Sequence, residues 1–396
     1  MDHRAYVWQR QGTPALLEAV RNSGRFSRLL FLAAEIDPNS KGRPRFLLES
    51  FESVRQSPRE IGLCIRIREL QGRFAGQPDA LNAVLETLRE LQERARSSGI
   101  VVSEWQLDYD APESGLEDYA ALVRAARAVV SPLTLTALPT WLKRGEAFSD
   151  LVGAADGFVL QLHGWDSEAS GPDAMRVLDL RRLERWVDQA AKHGSPFHVA
   201  LPTYSYLAAL DSTGKAIGLA AEAGPSARFA AAPQRLVGSE ASGLAGQVGA
   251  WTERRSPLLA GVVWFRLPVR GDRLNWAPET LLAVVEGRVP RAELRAAAEA
   301  REPGLFDLQI TNVGESTEPL PRRLLVELAP GQILAADAIH GYVLQQMQDG
   351  SITLDRTTAA PELLWPGEAI VVGWVRTSSA AHAGLRVELG PAGGGI

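Results

Sequence analysis

The feature that most constrains this chain is an alternation: eight short β-branched or aliphatic runs, separated by stretches with helical spacing or by long connections. The runs are Tyr6–Arg10, Leu29–Ile36, Ile61–Ile67, Val101–Tyr109, Leu133–Leu138, Gly157–His163, Phe197–Leu201 and Gly261–Leu267. Thr13 serves as N-cap ahead of a helix over Pro14–Asn22, with Gly24 as its stop, and further helices fit Asp79–Ser97, Leu116–Val130, Leu180–Lys192 and Pro278–Val285. The second and seventh connections are longer; Asp211–Gln234, rich in Gly, Ala and Ser, reads as an excursion over one face. Eight strand–helix units within about 290 residues predict a (β/α)8 barrel, placed at residues 1–300. A doubly wound sheet is the competing arrangement, and the lack of a GxGxxG turn after any strand weighs against it.

Helix signals end with the stretch Arg291–Arg301. Strand-like runs follow at Phe306–Thr311, Arg323–Leu328, Gly341–Gln346, Ile352–Asp355 and Ala369–Arg376, punctuated by Pro, Gly, Asn and Asp. They predict a small antiparallel, sandwich-like all-β domain over residues 301–390, with 391–396 as a disordered tail. A chain of 396 residues suits two such domains.

The net charge of -5 is spread among interspersed acids and bases, so no nucleic-acid partner is expected. Cys64 is the only cysteine and lies in an apolar run, which excludes an intrachain disulfide and a cysteine-based zinc cluster. Neither a cofactor nor a metal is expected. No apolar run approaches the roughly 18 residues of a membrane span, and the first ten residues carry no signal-peptide core.

The fourth run, Ser103–Pro112, carries the strongest chemical signal. Period-two alternation puts Glu104, Gln106, Asp108 and Asp110 on one face and Trp105, Leu107 and Tyr109 on the other. The apolar face must meet the surrounding helices, so the polar face points into the barrel. Unpaired carboxylates there cost several kcal/mol, so the pattern needs either an ion-pair network or a site. Asp108 and Asp110 fall at the C-terminal end, where barrel active sites open, with Cα atoms about 7 Å apart.

The other strand ends add Glu35, Arg66, Thr136, Gln161, His163, Trp264 and Arg266, while Tyr204 and Tyr206 follow the seventh run. Each alone has a structural reading: His163 as a satisfied histidine, the arginines as neutralisers of the acids, and Trp8, Trp141, Trp165 and Trp264 as core. Together, carboxylates, aromatic rings and hydrogen-bonding groups make the surface that a sugar ring needs.

Gln106–Pro112, Leu133–Leu142 and Asp156–Gly164 resemble a bacterial TIM-barrel family grouped as a domain of unknown function, the DUF3142 type. A more distant likeness is to the chitinase-like family-eighteen glycoside hydrolases, whose fourth strand carries DxxDxDxE. In that register Ser103 and Gln106 stand at the first two acids, Asp108 at the third and Asp110 at the catalytic Glu; the eighth run resembles the strand giving that family its tryptophan floor, at Trp264. Two of four signature acids are missing, and His163 stands near that family's acetamido-holding tyrosine. The resemblance thus implies the barrel and carbohydrate binding, with little support for chitin.

The resulting expectation is a glycoside hydrolase acting on an oligo- or polysaccharide. Asp110 is the general acid, its pKa raised by Asp108, and Glu35 or Asp108 is base, nucleophile or stabiliser. Arg66, Gln106, Thr136, Gln161, His163, Tyr204 and Arg266 hold hydroxyls, and Trp264 floors the sugar. The alternative is a non-catalytic glycan-binding or surface-assembly protein. A metal-dependent hydrolase using Asp108, Asp110 and His163 is a third reading without HxH or HExxH spacing. The expected location leans to the periplasm or outside the cell, and the oligomeric state is open.

Overall fold

The protein is described from a computed structural model covering residues 1–37, 44–48, 51–68, 74, 77–164, 175–221, 232–329, 331–357, 362–378 and 385–390. It divides into two compact units, Met1–Val289 and Pro290–Ile396.

The first unit is a closed barrel of eight parallel strands: β1 (Asp2–Val7), β2 (Arg28–Ile36), β3 (Glu60–Ile67), β4 (Val102–Tyr109), β5 (Leu133–Ala137), β6 (Gly157–Gln161), β7 (Phe197–Pro202) and β8 (Leu259–Phe265). Each pairs with its neighbour, and β1 closes the ring by pairing with both β8 and β2. Helices follow the strands at α1 (Pro14–Arg21), α2 (Glu52–Arg55), α3 (Pro78–Ser97), α4 (Leu116–Arg127), α5 (Glu146–Gly153), α6 (Leu183–Ala191), α7 (Ala241–Glu253) and α8 (Pro278–Val285). Local chemistry explains their ends. The Thr13 hydroxyl accepts from the Leu16 amide at 3.2 Å at the start of α1. Pro78 and Asp79 open α3 and Arg94 and Arg96 close it, matching the helix dipole. Ala80, Val84, Leu88, Leu91 and Ala95 form its buried stripe.

Two expected strands are displaced. The first run was expected at Tyr6–Arg10, yet β1 begins at Asp2, because Asp2 and Arg4 find partners inside the sheet. The eighth lies two residues earlier than Gly261–Leu267. The excursion after β7 contains strands Ser205–Leu210, Ala216–Ala220 and Gln234–Gly238, which form a three-stranded antiparallel sheet.

Inward-facing residues form three levels. At the bottom, Glu104 is buried and takes Arg4 at 2.6 Å, Arg28, and the Thr134 hydroxyl at 2.7 Å. In the middle, the Tyr6 hydroxyl donates to Gln106 Oε1 at 2.6 Å among Leu30, Cys64, Val159, Ala200 and Val263. The top level opens as the site described below. The outer faces of the strands pack on the helices through one continuous apolar core.

The second unit is sandwich-like, with two four-stranded antiparallel sheets. One joins Leu294–Glu302, Leu305–Asn312, Ala369–Thr377 and Ile333–Ala338; the other joins Tyr342–Gln346, Ile352–Arg356, Arg323–Leu328 and Leu385–Leu389. Phe306, Leu308, Ile310, Leu324, Val326, Leu354, Val372 and Val375 form its core. The helical reading of Arg291–Arg301 gives way to strand Leu294–Glu302, and the compact units divide before it rather than near Arg301. The expected tail, 391–396, lies outside the described residues.

Candidate functional site

A cavity of about 160 Å³ opens at the C-terminal ends of the strands, lined by Tyr6, Trp8, Arg66, Asp108, Asp110, Thr136, Gln161, His163, Gly164, Ala200, Tyr204, Tyr206 and Phe265. Seven expected site residues therefore meet in one place: Arg66, Asp108, Asp110, Thr136, Gln161, His163 and Tyr204. They meet because parallel register aligns strand ends: Arg66 of β3 stands beside Asp108 of β4.

Asp108 is buried and accepts the Thr136 hydroxyl at 2.7 Å; Arg66 Nε lies 4.0 Å from its Oδ2. Burial raises its pKa to about 6, with Arg66 pulling down, the Asp110 charge pushing up and the Thr136 bond pulling down. Asp110 stands exposed at the mouth, yet crowding by neighbouring atoms raises its pKa, opposed by Arg66. The sequence reading had Asp108 raising Asp110. The repulsion instead acts on the deeper acid, which is the poorer place for a second charge.

The facing wall is aromatic. His163 stacks on Phe265 at 4.7 Å between centroids, meets Tyr204 edge-on, and places Nδ1 3.4 Å from the Tyr204 hydroxyl. Burial lowers the His163 pKa to about 3, so the ring is neutral near pH 7 and serves as a hydrogen-bonding surface. Burial likewise raises the Tyr204 phenol, whose hydroxyl donates to Tyr206 at 3.4 Å. Trp8 meets Phe265 at 5.1 Å and Tyr6 at 5.6 Å, both edge-on. Gln161 donates to the His163 carbonyl at 3.3 Å.

Four expected residues do not line the cavity. Trp264 points outward, fully buried against His3 and Trp276, so the aromatic floor falls to Phe265. Arg266 is committed to the loop after β8, paired with Asp272 at 2.6 Å and donating to the Ala221 carbonyl at 3.2 Å. Gln106 lies one level down, bound to Tyr6 and to Thr134 at 3.2 Å. Glu35 pairs with Arg10 at 2.6 Å. Tyr6, Phe265 and Trp8, the last read as core, also line the cavity. Tyr6 had a signal, since Tyr6 and Trp8 alternate along the first run. Trp141 is core, and Trp165 lies outside the described residues.

Among the described residues, no three His, Cys, Asp or Glu side chains gather as a metal site, and no helix is long and apolar enough to cross a membrane. Cys64 is buried inside the barrel, where burial holds its thiol well above the usual range.

Residues 61–270 match the family described as Domain of unknown function (DUF3142), more than half of the chain. The chain belongs to the DUF3142 family. The match spans β3 to β8 and so contains every cavity residue except Tyr6 and Trp8. Residues 295–378 match a second description, Domain of unknown function (DUF8456). No curated protein matches the chain.

Among solved structures, this DUF3142 barrel is similar to the spore cortex-lytic enzyme SleL of Bacillus cereus, with TM-score 0.53 and 13% identity over 73% of this chain and 74% of that one. It is also similar to a chitinase of Chromobacterium violaceum (0.47, 13%, 72% and 98%) and to a family GH18 chitinase of Cycas revoluta in complex with allosamidin (0.48, 14%, 72% and 97%). At these identities the likeness is one of fold alone, and only the first reaches a TM-score above 0.5.

Proposed function

We propose that this barrel hydrolyses a glycosidic bond in an oligo- or polysaccharide, with Asp110 as general acid and Asp108 as the group that holds a proton beside it. The observation that carries the reading is the pair Asp108 and Asp110, both raised in pKa, facing an aromatic wall of Phe265, His163 and Tyr204 in one cavity. Aromatic faces bind sugar rings, and a carboxyl raised toward neutrality retains a proton to donate to a leaving oxygen.

Both acids come from one strand face, so they approach the bond from one side. Among the described residues no third carboxylate lines the cavity, since Glu35 is paired with Arg10. Among the described residues, schemes that flank the bond with two carboxylates lack their second group, and the reading therefore favours an acetamido substituent on the sugar as the internal nucleophile. This moves weight toward N-acetylated glycans, which the sequence alone did not favour.

The test is turnover of a panel of polysaccharides and aryl glycosides, including N-acetylated ones, by wild type and Asp110→Asn. Turnover lost by at least about a hundredfold in the variant supports the assignment. The second reading, a non-catalytic glycan binder, is favoured by the shorter Asp at position 110. Glycan retention without turnover, unchanged in Asp110→Asn, establishes that reading instead.

A further inference from the structure

We propose that the glycan taken by this cavity carries a carboxylate, and that Arg66 is the residue that selects it. The inference rests on the glycan reading above and narrows its substrate class.

Of Arg10, Arg66 and Arg266 at the strand ends, two are committed. Arg266 is tied to Asp272 and the Ala221 carbonyl, and Arg10 to Glu35. Arg66 alone of the three lines the cavity, with 40% of its side chain exposed. Among the described residues its only charged neighbour within 4.0 Å is Asp108, and at that distance no hydrogen bond forms. A charge-assisted pair closes to about 2.7–2.9 Å, so Asp108 leaves the guanidinium's donors unsaturated at the cavity wall.

That fork matches a carboxylate bidentately. The charge balance selects a single negative charge over a phosphate. Asp108 and Asp110 sit beside Arg66 and already supply negative charge whenever ionised, and a dianion would meet both. A monoanionic sugar substituent instead takes the guanidinium while Asp108 is protonated. A uronic acid and a sugar with a carboxyalkyl ether both present such a group.

The experiment is retention on a glycan array carrying neutral, N-acetylated, uronic-acid and carboxyalkyl-ether glycans, for wild type, Arg66→Gln and Arg66→Lys. The expected result is a preference of about tenfold for carboxylated over matched neutral glycans, read as a ratio within each protein so that any general loss of binding cancels, abolished by Arg66→Gln and partly kept by Arg66→Lys. The two carboxylated arms identify which sugar carries the group. An equal or neutral-favouring profile, or a preference unchanged in the variants, overturns the inference while leaving the hydrolase reading in place. Retention of no glycan at all overturns both. Should Arg66→Gln fail to fold, Arg66→Lys decides: a reduced preference supports the assignment and an unchanged one removes it.

Discussion

The Thr136 hydroxyl donates to Asp108 at 2.7 Å, joining β5 to β4 at an acid whose pKa stands at about 6. That bond stabilises the ionised carboxylate, so it holds the pKa below where burial alone would put it. If catalysis needs the proton on Asp108, kcat/KM falls as pH rises through about 6. Thr136→Val removes the donor, and the expected outcome is a falling limb moved to higher pH. A pH–rate profile of both proteins reads this directly; a limb that stays in place shows that Asp108 does not set it.

Trp264 and Phe265 are adjacent, yet only Phe265 faces the cavity. Trp264→Phe should lower the melting temperature by several degrees, a cost of about 2 kcal/mol from lost packing, and leave glycan retention unchanged. Phe265→Ala should weaken retention about tenfold, because it removes the ring on which His163 stacks. The reverse pattern would return the sugar floor to Trp264.

The barrel and the second unit each have their own apolar core. We expect a chain ending at Val289 to fold as a barrel with a cooperative melt. An insoluble product, or a broad transition, would show that the barrel needs the residues beyond Val289.

The top of the site was legible in the sequence where polarity was unexpected. Four polar positions on one face of β4 stand out because a barrel interior is ordinarily aliphatic. Their alternation fixed Asp108 and Asp110, and register then brought Arg66 and Thr136 beside them. What alternation did not separate was scaffold from site: Glu104, on the same face, is closed by Arg4 and Arg28. Strand β8 gave no parity signal, because Leu259–Phe265 is apolar or small throughout, and Trp264 was therefore assigned to the wrong face. In β2 an irregularity between Leu32 and Ala34 resets the alternation and brings Glu35 level with Arg66. Leu294–Glu302 is rich in Ala, Arg and Glu, all helix formers, and its pairing with Leu305–Asn312 across Pro303 and Gly304 overrides that preference.

If Asp108 and Asp110 form a site while Glu104, on the same strand face, is scaffold, removing their charges has opposite effects on stability. Thermal melts of Asp108→Asn, Asp110→Asn and Glu104→Gln between pH 4 and pH 8 test it before any substrate is known. Asp108 has its folded pKa raised from 3.8 to about 6, so the folded state binds more protons and stability falls as pH rises through that window. Asp108→Asn removes the penalty: the expected melting temperature is raised at pH 8, by an amount equivalent to about 3 kcal/mol, and little changed at pH 4. Asp110→Asn should be neutral or stabilising, whereas Glu104→Gln strands Arg4 and Arg28 and should cost about 3–5 kcal/mol. A comparable fall in all three variants would make the whole face one ion-pair network and would contradict the account.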